Sequence, residues 1–466
     1  MTNGKVLTGR KRLFSDAETI TAANVVEVLN KALGDHETNR ADIDYLWDYY
    51  RGRQPVLERE KEIRPEICNK IVENRANEIV SFKVGYLMGE PVQYVNRGSN
   101  TEAGDAINRL NEYVYAENKA AEDKKLADWF TICGTAYRLI LPAKEADPES
   151  PFHIYTLDPR TTFIVYYSGL GNRPLMAVRY VQRDDLNIIY SVYTENAYYE
   201  ILDDKIIKAE TQYYGGVPII EYPANEARLG AFEIVLPLLD AINEIASNRV
   251  DGIEQFIQAF IAFFGVDIDD DTFKKLKDLG ALKIPEGGDV KYLVQELNQA
   301  QTQTLKDDLY QTILTICGMP NRNGGTSTSD TGSAVIMRDG WSAAEARAKD
   351  AELMFVRSER QFLRLALHMA DVLGGITLKL SDIGIRFTRR NYENIQEKSQ
   401  VLTTMLANPK IHRKLAFEHC GMFADPDLAY TMSEEQYQEE LSRMEKELTA
   451  ENEGKDEDDE EDVPAD

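Results

Sequence analysis

Phe232-Glu-Ile-Val-Leu-Pro-Leu-Leu-Asp-Ala-Ile-Asn-Glu-Ile-Ala-Ser-Asn-Arg-Val-Asp-Gly-Ile-Glu-Gln-Phe-Ile-Gln-Ala-Phe260 opens the stretch on which the fold turns, and the stretch runs on to Leu373. Val235, Leu238, Leu239, Ile242, Ile245, Arg249, Ile253, Phe256, Ile257 and Phe260 recur at the spacing of one helical face. A compact α/β insert follows, roughly Gly265 to Asn298. Within it Thr272 to Leu279 reads as a short helix, and Leu282 to Ile284 and Val290 to Val294 read as strands around Pro285-Glu-Gly-Gly288. Ile257 to Val266 reads equally as helix or as strand. A second helix is predicted from Gln299 to Cys317, with Leu305, Leu309, Ile313 and Ile316 on one side and Gly318 and Pro320 ending it. The polar run Asn321-Arg-Asn-Gly-Gly-Thr-Ser-Thr-Ser-Asp-Thr-Gly332 comes next. A third helix is predicted from Ser333 to Leu373, capped by Ser329-Asp330, with Gly340 inside it as a place to kink. At about 1.5 Å per residue it would reach about 60 Å. Two helical legs flank an insert, a polar loop hangs from their end, and a long helix follows. That layout suits lateral packing around a hole better than an enzyme pocket.

The chain has 466 residues, 43% of them hydrophobic, which is ample for a buried core and several domains. No apolar run has the length of a bilayer span, and Met1-Thr-Asn-Gly-Lys-Val lacks a secretory apolar segment. Cys68, Cys133, Cys317 and Cys420 are far apart and are expected as reduced thiols, which fits a cytosolic birthplace. The formal net charge is −26, from 53 basic and 79 acidic residues. Nucleic acid is normally gripped by clustered Lys and Arg. A chain this acidic either avoids DNA or lets it slide without sticking.

Upstream, Val25 to Leu33 reads as a helix capped by Thr21 and stopped by Gly34, and Asn39 to Tyr50 as a second helix. Ile71, Val72, Ala76, Ile79, Val80, Val84 and Leu87 make one helical face before Gly89 and Pro91, and Val92 to Val95 is a short strand. Two more helices are expected over 103–114 and 117–129. From Ala136 to Tyr222 the period switches to two, with eight strands: Tyr137–Leu141, His153–Leu157, Phe163–Tyr166, Leu175–Gln182, Ile188–Tyr193, Ala197–Leu202, Lys205–Ala209 and Val217–Tyr222. They are expected as one antiparallel meander. After Leu373, strands are predicted at Ile376–Leu380 and Ile383–Thr388, and helices at Asn391–Leu406, Lys410–Glu418 and Ser433–Leu448. The acid-rich end from Glu451 should be unstructured through self-repulsion.

Catalytic signatures are missing: there is no Gly-x-x-x-x-Gly-Lys-Ser/Thr loop, His-Glu-x-x-His, Cys-x-x-Cys or Gly-x-Ser-x-Gly. Gly169-Leu-Gly171 reads as a tight turn. Asp267-Ile-Asp-Asp-Asp271 departs from a calcium loop, with Thr272 at the glycine position and Asp278 where a bidentate Glu belongs, and reads as helix capping. His412 and His419 have no second ligand cluster. No cofactor is expected.

Several blocks together resemble tailed-bacteriophage portal proteins, the type of siphophages and prophages of Gram-positive bacteria. They are Asp48-Tyr-Tyr-Arg-Gly-Arg53; Asn69-Lys-Ile-Val-Glu-Asn74 with Gly85-Tyr-Leu-Met-Gly-Glu-Pro91; Leu157-Asp-Pro-Arg-Thr-Thr-Phe163 with Pro174-Leu-Met-Ala-Val-Arg-Tyr180; Val217-Pro-Ile-Ile-Glu-Tyr222 with Asn225-Glu226; and Asp330-Thr-Gly-Ser-Ala334 with Gly340-Trp-Ser-Ala-Ala-Glu345. Their order and spacing cover about residue 40 to residue 400. The resemblance implies an α+β portal fold: long stem and wing helices, an antiparallel β-rich wing, a small α/β clip and a helical crown. Carried onto this chain, 1–232 is wing, 233–258 and 299–318 are stem helices, and 259–298 is the clip. A tunnel loop takes 319–332, further wing 333–390, crown 391–450 and acidic tail 451–466.

The resemblance further implies a dodecameric ring at one capsid vertex, built in the host cytoplasm, with no catalysis and no membrane. Double-stranded DNA would enter during packaging and leave at ejection. Asn321, Arg322, Asn323, Thr326, Ser327, Thr328, Ser329 and Asp330 would face that DNA, although a plain surface loop is the competing reading. Asp269, Asp270, Lys274, Lys277, Glu286 and Lys291 would dock the terminase large subunit and the head-completion or adaptor proteins. Major capsid and scaffolding proteins are further expected partners. An acidic scaffold or chaperone, or a metal-dependent nuclease, are the alternatives from other classes.

Overall fold

The computed structural model describes the chain outside residues 1–6, 98–100, 144–148, 184–186, 258–259, 265–288, 294–298, 322–339, 389–394, 424–425 and 459–466. Most strands fall in one run over 135–223 between helical stretches, and their pairing is antiparallel except at one sheet edge, as expected for an α+β chain. The first strand, β1 (Leu13–Ser15), precedes a single helix, α1 (Val25–Tyr50). Gly34 therefore does not divide two helices. It lies exposed on α1, where its cost of about 1 kcal/mol is outweighed by packing on either side. Val25, Leu29 and Ala32 bury against one sheet, while Ile43, Leu46 and Tyr49 enter the main core. The cap is Asn24 rather than Thr21.

Helix α2 (Arg75–Leu87) starts later than its apolar spacing suggests, because Asn74 caps it by accepting from the Asn77 amide. Ile71 and Val72 lie ahead of it, outside any helix. Strand β2 (Gln93–Asn96), α3 (Thr101–Ala116) and α4 (Lys119–Cys133) follow. Gly134 ends α4 with φ +81, and a Cβ there would overlap the Arg228 carbonyl, so only glycine fits.

All eight predicted strands form, as β3 (Thr135–Pro142), β4 (Phe152–Leu157), β5 (Thr162–Tyr167), β6 (Pro174–Gln182), β7 (Ile188–Thr194), β8 (Ala197–Leu202), β9 (Lys205–Thr211) and β10 (Ile219–Pro223). They do not form one meander. The larger sheet runs β1-β5-β6-β7-β8-β9, with β1 parallel to β5 at its edge, and β10-β3-β4 is a separate sheet. The split follows burial. Thr135 to Ile140 is buried at every position, so β3 needs cover on both faces. Helix α4 packs against β3 and β4, and a later helix, α7 (Trp341–Met369), packs against β10 and β3.

Two helices, α5 (Leu236–Ile257) and α6 (Gln299–Cys317), flank β11 (Phe260–Phe264) and β12 (Asp289–Leu293). Gly340 is not inside the third long helix. It stands directly before α7 with φ +85, a left-handed turn at the start of that helix, and the predicted helical residues 333–339 lie outside the described residues. A π-turn at Ala370–Gly374 ends α7. No strand forms at Ile376–Leu380; only β13 (Ile383–Arg386) pairs, with β2. The C-terminal helices are α8 (Ile395–Leu406), α9 (Arg413–Cys420) and α10 (Pro426–Asp458). Helix α10 thus begins before Ser433 and continues through 451–458, a stretch expected to lack structure.

A closed charge network fixes α7 to the body. Glu359 of α7 meets Lys119 at 2.8 Å and Arg138 at 3.2 Å. Asp123 pairs with Lys119 at 2.6 Å and also with Arg138. Tyr94 and Tyr222 donate their hydroxyls to Glu359 at 2.5 and 2.6 Å. All six residues are buried, and the two cations balance the two anions. Burial alone would raise the Glu359 carboxyl; Lys119 and Arg138 override it and hold the group far below its usual range. A carboxyl whose folded pKa lies below its unfolded one contributes stability that is present above the ordinary carboxylate range and is lost as pH falls toward the folded value.

Arg138→Met should therefore cost about 3–5 kcal/mol in urea unfolding, since it leaves an uncompensated buried carboxylate. The stability of the unaltered chain should decline as pH drops below about 4.5, whereas a Glu359→Gln chain should show a shallower decline over that range.

Candidate functional site

The two legs α5 and α6 run antiparallel. Arg249 of α5 donates to Gln303 Oε1 of α6 at 2.5 Å, while Ile242, nearer the start of α5, shares a cleft with Leu314 and Met319 at the other end of α6. Beyond the Arg249 end, β11 and β12 pair antiparallel, Phe260 opposite Leu293 and Phe264 opposite Asp289. The ambiguous 257–266 stretch therefore resolves as strand over Phe260–Phe264.

The buried side of α5 is less apolar than its sequence suggests. Leu236, Leu239 and Ile242 are buried, and so are Asn243, Ser247 and Asp251, while Ile253 is exposed. The polar residues recur every four positions because they receive the segment 69–73. Asn69 N donates to Asp251 Oδ1 at 2.7 Å, Ile71 N to Ser247 Oγ at 2.9 Å, and Glu73 N to Asn243 Oδ1 at 2.8 Å. Two residues of extended chain advance about 6.6 Å and four residues of helix about 6.0 Å, so alternate amides meet successive helical turns.

Side chains close both ends of this ladder. Gln54 accepts from Asn243 Nδ2 at 2.5 Å and donates to Asn74 Oδ1 at 3.1 Å. Arg59 and Lys61 pair with Asp251 at 2.8 and 2.5 Å. Burial would raise the Asp251 carboxyl, but Lys61, Asn69 and Arg59 bring it down to about 2.

The leg bases are locked as well. Glu233, just ahead of α5, pairs with Arg10 and accepts from the Gly230 amide at 2.6 Å. Tyr49 donates to Asp240 at 2.8 Å. On α6, Lys306 pairs with Glu73, and Tyr310 donates to Glu78 at 2.8 Å beneath the Arg75 guanidinium, 4.3 Å from the ring centre. Lys83 donates to the Cys317 carbonyl at 2.7 Å, and its burial lowers the ammonium. The four cysteines are free thiols, and burial pushes Cys317 up to about 11.

Of the loop and insert residues singled out in the sequence, Asn321 is half-buried at the end of α6 and donates to Gln311 Oε1 at 2.7 Å. Lys291 lies on β12 opposite Ala262. Arg322, Asn323, Thr326, Ser327, Thr328, Ser329, Asp330, Asp269, Asp270, Lys274, Lys277 and Glu286 lie outside the described residues. Sequence reasoning missed Asn243, Ser247 and Asp251; their four-residue spacing on an otherwise apolar helix was the available signal. Among the described residues no His, Cys, Asp and Glu cluster could hold a metal ion, and no helix is long and apolar enough to cross a membrane.

A family model for phage portal proteins, SPP1 Gp6-like, matches residues 29–454. The chain is similar to the portal protein of Bacillus phage SPP1, 23% identical over 443 residues, which cover 83% of this chain and 79% of that one. Among solved structures it is similar to a chain in the neck of an empty gene transfer agent particle, with TM-score 0.46, 11% identity, and 75% and 90% of the two chains covered. It is also similar to a chain in the virion of a native gene transfer agent particle, with TM-score 0.46, 12% identity, and 82% and 94% covered.

Asp251→Ala should cost about 2–3 kcal/mol, because it strands the Asn69 amide and two cations. Hydrogen exchange followed by mass spectrometry should show the quickening first at the Asn69 and Ile71 amides.

Proposed function

The chain belongs to the SPP1 Gp6-like family of phage portal proteins, and we propose on that basis how its parts serve a ring at the portal vertex. A portal protein is a structural, non-enzymatic component of the virion, an oligomeric ring through which DNA passes. In our reading α5 and α6 are the stem, 259–298 is the clip, 319–332 the tunnel loop and 391–450 the crown. The ring has twelve copies. The clip, with Asp269, Asp270, Lys274, Lys277, Glu286 and Lys291, receives the terminase large subunit during packaging and head-completion proteins afterwards. Major capsid and scaffolding proteins meet the outer surface.

The observation that carries the channel assignment is the exposed side of α6. Thr304, Thr312 and Thr315 each donate their hydroxyl to the carbonyl one turn back in α6, at 3.0, 2.8 and 3.0 Å. These threonines lie exposed with Asp307 and Asp308. Arg249 and Lys306 are the basic residues of the two legs, and both turn inward, to Gln303 and Glu73. Such a wall offers methyl groups and carboxylates and withholds cations, so phosphate finds little to grip. Leu305 and Ile253, 51% and 44% exposed, are apolar leg positions available to a neighbouring copy. Packing of unlike patches closes a ring when the rotation allows.

A Thr312→Lys and Thr315→Lys chain should still form rings but retain duplex DNA in a salt-dependent way and package about tenfold less of it. Packaging at the unaltered rate would sink the channel assignment for this face. Leu305→Asp should leave the circular dichroism spectrum unchanged and reduce the number of rings in negative-stain micrographs.

A further inference from the structure

We propose that α10 beyond Tyr437 is a docking surface for a basic amphipathic helix of another protein. This goes beyond the channel reading and does not rest on it. One side of the first part of α10 is contacted by α9. Phe417 stands edge-on to Tyr430 with ring centres 5.9 Å apart, and the Arg413 guanidinium lies 4.6 Å from the Tyr437 ring centre. Lys414 pairs with Asp427 at 3.0 Å, and Arg413 with Glu434 at 3.6 Å. Helix α9 has only 8 residues, whereas α10 has 33.

Past Tyr437 the same seam continues as Leu441 and Met444, which are 37% and 59% exposed. The steps of four and three are those of a heptad core. In sequence the positions flanking that core are Gln438, Glu440 and Glu445. A parallel copy of α10 would set Glu440 of one helix against Glu445 of the other, so self-pairing is opposed by like charge. Nucleic acid is opposed for the same reason. A helix with Lys or Arg at its flanking positions reverses each repulsion while burying Leu441 and Met444. Helix α9, with its Arg413, Lys414 and Phe417, is this chain's own instance of that chemistry on the neighbouring stretch.

The test uses the full-length chain and a labelled synthetic helix of about three heptads, Leu at its core and Lys at its flanking positions, with a Glu-flanked helix as control. The Lys helix should bind and the Glu helix should not. Leu441→Ser with Met444→Ser, which leaves every charge in place, should weaken binding by about tenfold, and about 0.5 M salt should weaken it further. Three results would overturn the proposal. One is no binding of the Lys helix. Another is equal binding to the double variant, which would mean that acidic charge alone holds the probe. The third is a change in the assembly state of the double variant by sedimentation, which would mean that a second copy covers the seam.

Discussion

Three backbone amides in the segment 69–73 need acceptors, and one edge of α5 supplies them. That requirement ties the legs to the body. Asn243, Ser247 and Asp251 are buried, and a buried polar side chain without a partner is costly, so the helix keeps them on that side and the half-buried segment stays against it. The near match between two extended residues and one helical turn lets the ladder repeat without strain. Helix α5 is then held at both ends, by this ladder and by Arg10 with Glu233 at its base.

The same economy governs charge. Several basic residues are used inside the molecule: Arg138 and Lys119 on Asp123 and Glu359, Arg228 on Glu221, Arg59 and Lys61 on Asp251. Each neutralises an acid in a dry setting, where removing one partner is far costlier than the pair is stabilising. The chain as a whole carries a net charge of −26. An excess of acid repels phosphate and so disfavours tight binding of nucleic acid.

Long helices connect the parts. Helix α1 bridges two hydrophobic clusters, one under the six-stranded sheet and one at the junction of α4, β3, α5 and α7. Helix α7 enters that junction through Phe355, Phe362 and Glu359. The leg residues Ile313, Leu314 and Cys317 reach the same cluster, so legs and body share one core.

Elements whose periodicity is local could be read before any fold was known. Residue spacing alone marks α6 at Gln299–Cys317, its companion leg, and the eight strands of the 135–223 region, because side-chain period follows directly from backbone geometry. The blocks from Asp48 to Glu345 also sufficed to place the family. What pairs with what became visible only in three dimensions. Strand alternation does not record a partner, so the division into two sheets and the parallel edge strand β1 were not legible. Gly34 reads as a stop because its local cost shows in the residues, while the packing that outweighs it does not. The ladder on α5 was hidden for the same physical reason: its donors and acceptors lie 182, 176 and 170 residues apart in the chain, and only folding sets one against the other.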